Sequence, residues 1–181
     1  MSKKQQLLKA AEDKVRTGGY NNFSFRELAN EIGIKSSSVH YHFPTKADLG
    51  AELARQYTDN FLANLGSPED LVVQGKKPIE VYLQQFQCAL TEDQKMCLCG
   101  LLGAETDGLP DKVKLQTQRF FEQNIQWLTQ AYALDERNTE QQATNRAVAA
   151  LSLLEGAMLV SKAMNDNSIF ITASAGLLEA R

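Results

Sequence analysis

FSFRELANEIGIKSSSVHYHFPTKADL, residues Phe23 to Leu49, is the stretch whose reading decides the fold. Ser24-Phe25-Arg26-Glu27 has the form of a capping box, in which the serine hydroxyl takes the N–H of Glu27 and the glutamate reaches back to the serine N–H. It opens a helix with Leu28, Ala29 and Ile32 on one face, and Gly33 closes it. After a very tight turn a second short helix begins near Lys35-Ser36. It must stop before Pro44, because a proline pushes the preceding residue out of helical geometry. Thr45 and Asp48 repeat the capping pattern and start a longer helix with Leu49, Leu53, Tyr57 and Phe61 at every fourth position. Two helices of about seven residues across a tight turn form a helix-turn-helix, whose second helix lies in the major groove of DNA with its first residues at the base edges.

The chemistry of that second helix fits the same reading. Lys35, Ser36, Ser37 and Ser38 stand at its start, a cation and three small hydroxyls that permit close approach while the helix amides bond phosphate oxygens. Val39 and Phe43, one turn apart, face inward, and His40, Tyr41 and His42 supply long polar tips able to reach phosphates. The serines also serve as ordinary helix caps, and either role accounts for their residue type.

Outward from this stretch the chain reads as all-α, since no segment alternates apolar and polar residues between turn signals. A first helix runs from about Lys3 to Arg16, with Leu8, Ala11 and Val15 on one face, and stops at Thr17-Gly18-Gly19. Gly66 to Pro78 reads as loop, followed by an amphipathic helix from about Ile79 to Leu90. Cys97 to Glu105 is a small apolar segment, broken at Asp107-Gly108-Leu109-Pro110. Three helices follow, over about Asp111–Ala133, Glu140–Met164 and Ser168–Ala180. The expected organisation is an N-terminal three-helix DNA-binding domain over residues 1–48 and a larger helical ligand-sensing and dimerisation domain over residues 49–181.

Charge is divided unevenly. The first fifty residues hold eight basic and five acidic side chains, the remainder eleven basic and seventeen acidic, around a total of −3. A basic head on an acidic body suits a module that meets a polyanion locally, because phosphate attraction is screened within about 8 Å. The polar start, Met1 to Gln6, has none of the features of a secretory signal. The most apolar stretch, Val148 to Val160, contains Ser152 and Glu155 and reads as too short and too polar to cross a bilayer, so the expected location is cytoplasmic, away from any membrane. Cys88, Cys97 and Cys99 are an odd number and read as reduced thiols.

An enzyme is excluded for lack of parts: there is no glycine-rich phosphate loop, no nucleophile elbow, and only two histidines, both in the reading helix. No catalytic residue is assigned. His40 and His42, two apart, point to different sides of a helix, and Cys97-x-Cys99 has no further ligand, so no metal site and no cofactor are expected either.

The stretch from Phe23 to Leu49 resembles the signature of the TetR family: a serine, a hydrophobic helix, a tight turn, then an aromatic-rich recognition helix ending in His-Phe and followed by a lysine. The resemblance implies base or phosphate contacts from Lys35, Ser36, Ser37, Ser38, Tyr41 and His42, a phosphate held by Lys46, and a backbone contact from Ser24. It departs from the commonest pattern at Ser37, where glycine is frequent, and at His40, where tyrosine is frequent. It further implies a homodimer on a palindromic double-stranded operator, released by a small-molecule effector, with repression as the default outcome.

Such a family builds its dimer from the last two helices. Ala147, Leu151, Leu154 and Met158 on one helix and Ile171, Ala175 and Leu178 on the next suit that role, although packing within the chain would give the same stripe. Phe86, Phe120 and Trp127 suit a ligand cavity or a core, and Glu105 a polar ligand group or a helix end. Cys97, with Lys95 nearby, is the candidate for a redox signal or simply a small buried side chain.

Overall fold

The computed structural model describes residues 1–179, without the side chain of Glu179; the expected helix end at Ala180 lies outside them. Among the described residues there are ten α-helices and one short 3₁₀ turn, with no strand. They are α1 (Lys3–Gly18), α2 (Phe25–Ile32), α3 (Ser36–His42), α4 (Lys46–Leu65), α5 (Pro68–Val73), α6 (Pro78–Thr91), α7 (Leu98–Ala104), α8 (Asp111–Ala133), α9 (Glu140–Met164) and α10 (Ser168–Glu179), with the 3₁₀ turn Thr106–Gly108 between α7 and α8.

Local chemistry sets most of these bounds. Capping boxes open α1 at Ser2, α2 at Ser24 and α9 at Thr139, and left-handed residues close α2 at Gly33 and α9 at Asn165. Thr45 and Asp48 exchange the same pair of bonds ahead of α4. The stretch from Gly66 to Pro78, read as loop, holds α5 instead. Ser67 accepts from Asp70 N at 3.1 Å, Pro68 occupies the first turn, and Glu69 and Asp70 complement the helix dipole. Six residues are too few to show a helical period, so capping decides there.

The chain forms two compact units, and neither is continuous in sequence. The first takes residues 1–59 and 98–120; the second takes 60–97 and 121–181. In the first, α1 packs on α2 and α7, and α2 on α3, around Leu7, Ala11, Leu28, Val39, Leu49, Leu98, Leu102 and Val113. Polar ties fasten the late segment to the early one: Lys112 Nζ lies 2.6 Å from Asp48 Oδ1, and Arg119 Nη2 donates to Asp59 Oδ1 at 2.8 Å. Gly50 of α4 is buried in this unit, and a Cβ there would stand 2.7 Å from Tyr20 Cε2 and 3.1 Å from Val113 Cγ2. Gly50→Ala is expected to lower stability by about 1–3 kcal/mol through overpacking, read as a fall in the urea midpoint with an unchanged slope. An unchanged midpoint would show that the ring of Tyr20 yields freely.

In the second unit α9 packs on α6 and α10. The Val148–Val160 stretch sits inside α9, and the whole 25-residue helix is by length and composition long and apolar enough to cross a bilayer. One side of α9 carries Ala143, Ala147, Leu151, Leu154 and Met158 into the core.

Candidate nucleic-acid interface and sensing residues

Three short elements of the first unit build the candidate interface. The hydroxyl of Ser24 accepts from Glu27 N at 3.2 Å, and Glu27 Oε2 accepts from Ser24 N at 2.8 Å, which fixes the start of α2. These bonds also hold the Glu27 carboxyl below the usual glutamate range. Gly33 turns the backbone with φ 69° and ψ 42°, a left-handed conformation that glycine adopts without strain. Lys35 then caps α3 through its backbone only, leaving the lysine side chain exposed.

Along α3, Val39 is fully buried and Phe43 nearly so, which fixes the helix rotation. Lys35, Ser36, Ser37, His40 and Tyr41 are consequently exposed, while Ser38 and His42 are half-buried. Tyr41 is 85% exposed, although a phenol ring favours burial, and its ring centroid lies 5.2 Å from that of His42. The His40 ring sits edge-on to Phe25 at 4.9 Å, and its Nδ1 is 3.3 Å from Pro44 O. His40 is therefore tied to the start of α2 and to the turn after α3, and Tyr41 is the group that projects.

Lys46 lies over two rings, 4.8 Å from the centroid of Tyr20 and 4.5 Å from that of Phe23. Partial burial there holds its pKa below the ordinary lysine range, with Glu27 and Glu105 opposing the shift. Arg26, exposed on the first turn of α2 beside Ser24, was not singled out from the sequence. Its place two residues after a capping serine is the signal the sequence offers.

The sensing candidates divide between the units. Glu105 belongs to the first, where its carboxylate accepts from Tyr20 N at 2.8 Å and fills the space that a Cβ on Gly19 would need. Phe120, in the same unit, packs on Tyr57 with centroids 5.8 Å apart. Phe86 and Trp127 belong to the second and meet through Tyr82, whose centroid lies 5.6 Å from Phe86 and 5.3 Å from Trp127. Cys97 and Cys99 are buried, and the Cys97 N–H lies 3.0 Å from Met158 Sδ. Burial shields the Cys97 thiol from bulk water.

On the last two helices the two halves of the expected dimer seam part company. Ala147, Leu151, Leu154 and Met158 are at most 3% exposed in the single chain, so packing within the chain takes them and the assignment of that face to a partner is corrected. Ile171, Ala175 and Leu178 are exposed. So are Val148, Leu159 and Val160 on the outer side of α9. An apolar helix shows the same residue types on both sides, and the sequence stripe fell on the inner one.

Residues 7–53 match the family described as bacterial regulatory proteins, tetR family. Residues 77–175 match the C-terminal domain described as transcriptional regulator LmrA/YxaF-like. The chain is 23% identical over 164 residues to the HTH-type transcriptional regulator LmrA of Bacillus subtilis (strain 168), covering 87% of this chain and 85% of that protein. Among solved structures it is similar to a TetR transcriptional regulator from Legionella pneumophila, with a TM-score of 0.88 and 29% identity over 99% of this chain and 97% of that one. It is also similar to a TetR family transcriptional regulator from Agrobacterium tumefaciens, with a TM-score of 0.80 and 28% identity over 98% and 96% of the two chains.

Proposed function

Because this chain belongs to the TetR family and is a DNA-binding transcriptional regulator rather than an enzyme, we propose that it represses transcription as a homodimer on a palindromic operator and is released by a small-molecule effector. The observation that carries the DNA contact surface is the projection of Tyr41 from α3 beside exposed Lys35, Ser36 and Ser37, with Val39 anchoring the opposite side. Tyr41, Lys35 and the serines read or approach base edges. Ser24, Arg26, His42 and Lys46 hold the flanking backbone, Lys46 by leaving the rings of Tyr20 and Phe23 for a phosphate oxygen.

A dimer is supported by the exposed apolar residues of α9 and α10, including Leu159 and Ile171, both more than half exposed. Two subunits would present their reading helices to successive major grooves, roughly 34–36 Å apart. Residues 1–48 act as the DNA-binding domain and residues 49–181 as the sensing and dimerisation domain, in the cytoplasm with the chromosome. Burial of Cys97 favours a bound effector over an oxidant as the releasing signal.

Selection of random duplex DNA with the purified full chain, followed by sizing of the complex, tests this reading. The expected result is an enriched inverted repeat bound by two subunits, with an affinity that falls steeply as salt rises. Failure to enrich any site, or an enriched site without dyad symmetry, overturns it.

A further inference from the structure

The second unit contains a buried carboxylate whose hydrogen-bonding neighbour is a thiol. Glu155 lies on α9, one turn from Met158, and both of its carboxylate oxygens are buried. Among the described residues no N–H or O–H donor reaches either oxygen, and the Cys97 thiol is the hydrogen-bonding group beside it. Burial pushes the carboxyl up to about 7. Buried charges are ordinarily paired, and an uncompensated one weakens the fold that holds it.

Its surroundings are aromatic. Tyr82 of α6 is close enough for the Glu155 charge to act on its phenol. Tyr82 in turn packs against Phe61, Phe86 and Trp127, with centroids 5.6, 5.6 and 5.3 Å away. The Tyr82 hydroxyl is already engaged, donating to Asn124 Oδ1 at 2.7 Å. Two more buried polar atoms of the unit, Gln123 Oε1 on α8 and Ser161 Oγ on α9, have no hydrogen-bond partner among the described residues. When ionised, the carboxylate only accepts, and beside π-faces it is then complementary to a cation with N–H donors on an apolar body. An anion is repelled there, and a neutral guest leaves the charge without a counter-ion.

We propose that Glu155 is the recognition group of the effector site and that it selects a lipophilic organic cation, an aromatic or branched body carrying an ammonium group. This names the chemical class of the effector and so rests on the reading of the chain as an effector-released regulator. The ammonium donates to the Glu155 carboxylate while the body seats against the rings of Tyr82, Phe86 and Trp127. Binding requires the ionised carboxylate and therefore strengthens as pH rises through the Glu155 titration. The ionisable groups that face it are Tyr82 from α6 and Cys97 from the segment before α7. On α10, residues 168–178 carry no ionisable side chain.

Trp127, the single tryptophan, reports on this site directly. Its fluorescence is followed while the reduced full chain is titrated with 4-tert-butylbenzylammonium, the matching benzyl alcohol and the matching benzoate. The expected order is ammonium about tenfold or more tighter than alcohol, with benzoate weakest, in line with a charge-assisted bond to a buried group. The ammonium advantage is expected to grow between pH 6 and pH 8, and Glu155→Gln is expected to abolish both the preference and its pH dependence while retaining weak binding of the alcohol. Equal affinities for ammonium and alcohol in the unmodified protein, or a preference that survives Glu155→Gln, overturns the proposal without reliance on the variant's folding. Release of the selected operator by the ammonium is measured separately. If the cation binds through Glu155 and leaves operator affinity unchanged, the effector role falls while the cation site stands.

Discussion

Tyr41→Ala is expected to lower affinity for the selected operator by about 100-fold or more. Each lost groove contact is worth about 1–3 kcal/mol, and a symmetric dimer loses it twice. The substitution leaves the fold intact for a specific reason: Tyr41 is 85% exposed, whereas Val39 and Phe43 of the same helix carry its packing. Fluorescence anisotropy on the enriched duplex at one fixed salt concentration gives the affinity, and a thermal melt of the free protein checks that stability is unchanged. An affinity within threefold of the parent protein would remove Tyr41 from the reading surface. Lys46→Ala serves as the contrast: loss of a phosphate contact weakens all duplexes alike and flattens the salt dependence.

The second large effect concerns stability against pH. Glu155 titrates near 4.5 when exposed and at about 7 in the fold. Below the lower value both states are protonated and the side chain adds no pH-dependent cost. As pH rises from there to about 7, the unfolded chain loses its proton first, so the folded state is progressively disfavoured. Each pH unit of that gap is worth about 1.4 kcal/mol, giving a loss of about 3 kcal/mol between pH 4.5 and pH 8. Glu52 works in the opposite sense and in a lower window. Arg55 and Lys4 hold its carboxyl at about 2, so its contribution is lost only as pH falls below the usual glutamate range. Urea unfolding of the parent and of Glu155→Gln at pH 5 and pH 8 separates the two. The variant is expected to gain relative to the parent on going to pH 8, and a difference that stays constant between the two pH values would mean that Glu155 is solvated.

The same carboxylate illustrates where sequence reading stops. Glu155 was legible only as a polar interruption of an apolar stretch, because its burial depends on Cys97 and Tyr82, more than fifty residues away. Helix bounds were legible for the converse reason. Ser24 with Glu27, Thr45 with Asp48 and the left-handed Gly33 act within a single turn, so their consequences are written locally. The exposed and buried sides of α3 followed from the spacing of Val39 and Phe43. On α9 the same argument failed. Alanine, valine and leucine occupy both sides, and only the packing of α6 and α10 determines that Leu151 and Leu154 are inside while Val148 and Leu159 are not. Glu105, which the sequence leaves between a polar ligand contact and a helix end, meets the backbone of Tyr20, 85 positions earlier.

The discontinuity of the first unit also governs the order in which this protein can be made. Its three N-terminal helices leave the ribosome first, yet Leu98, Leu102, Val113 and Phe120 complete the core on which they rest. Helices synthesised early must therefore wait, with apolar faces open, until residue 120 has emerged, and nascent chains arrested before that point should be the ones that chaperones retain.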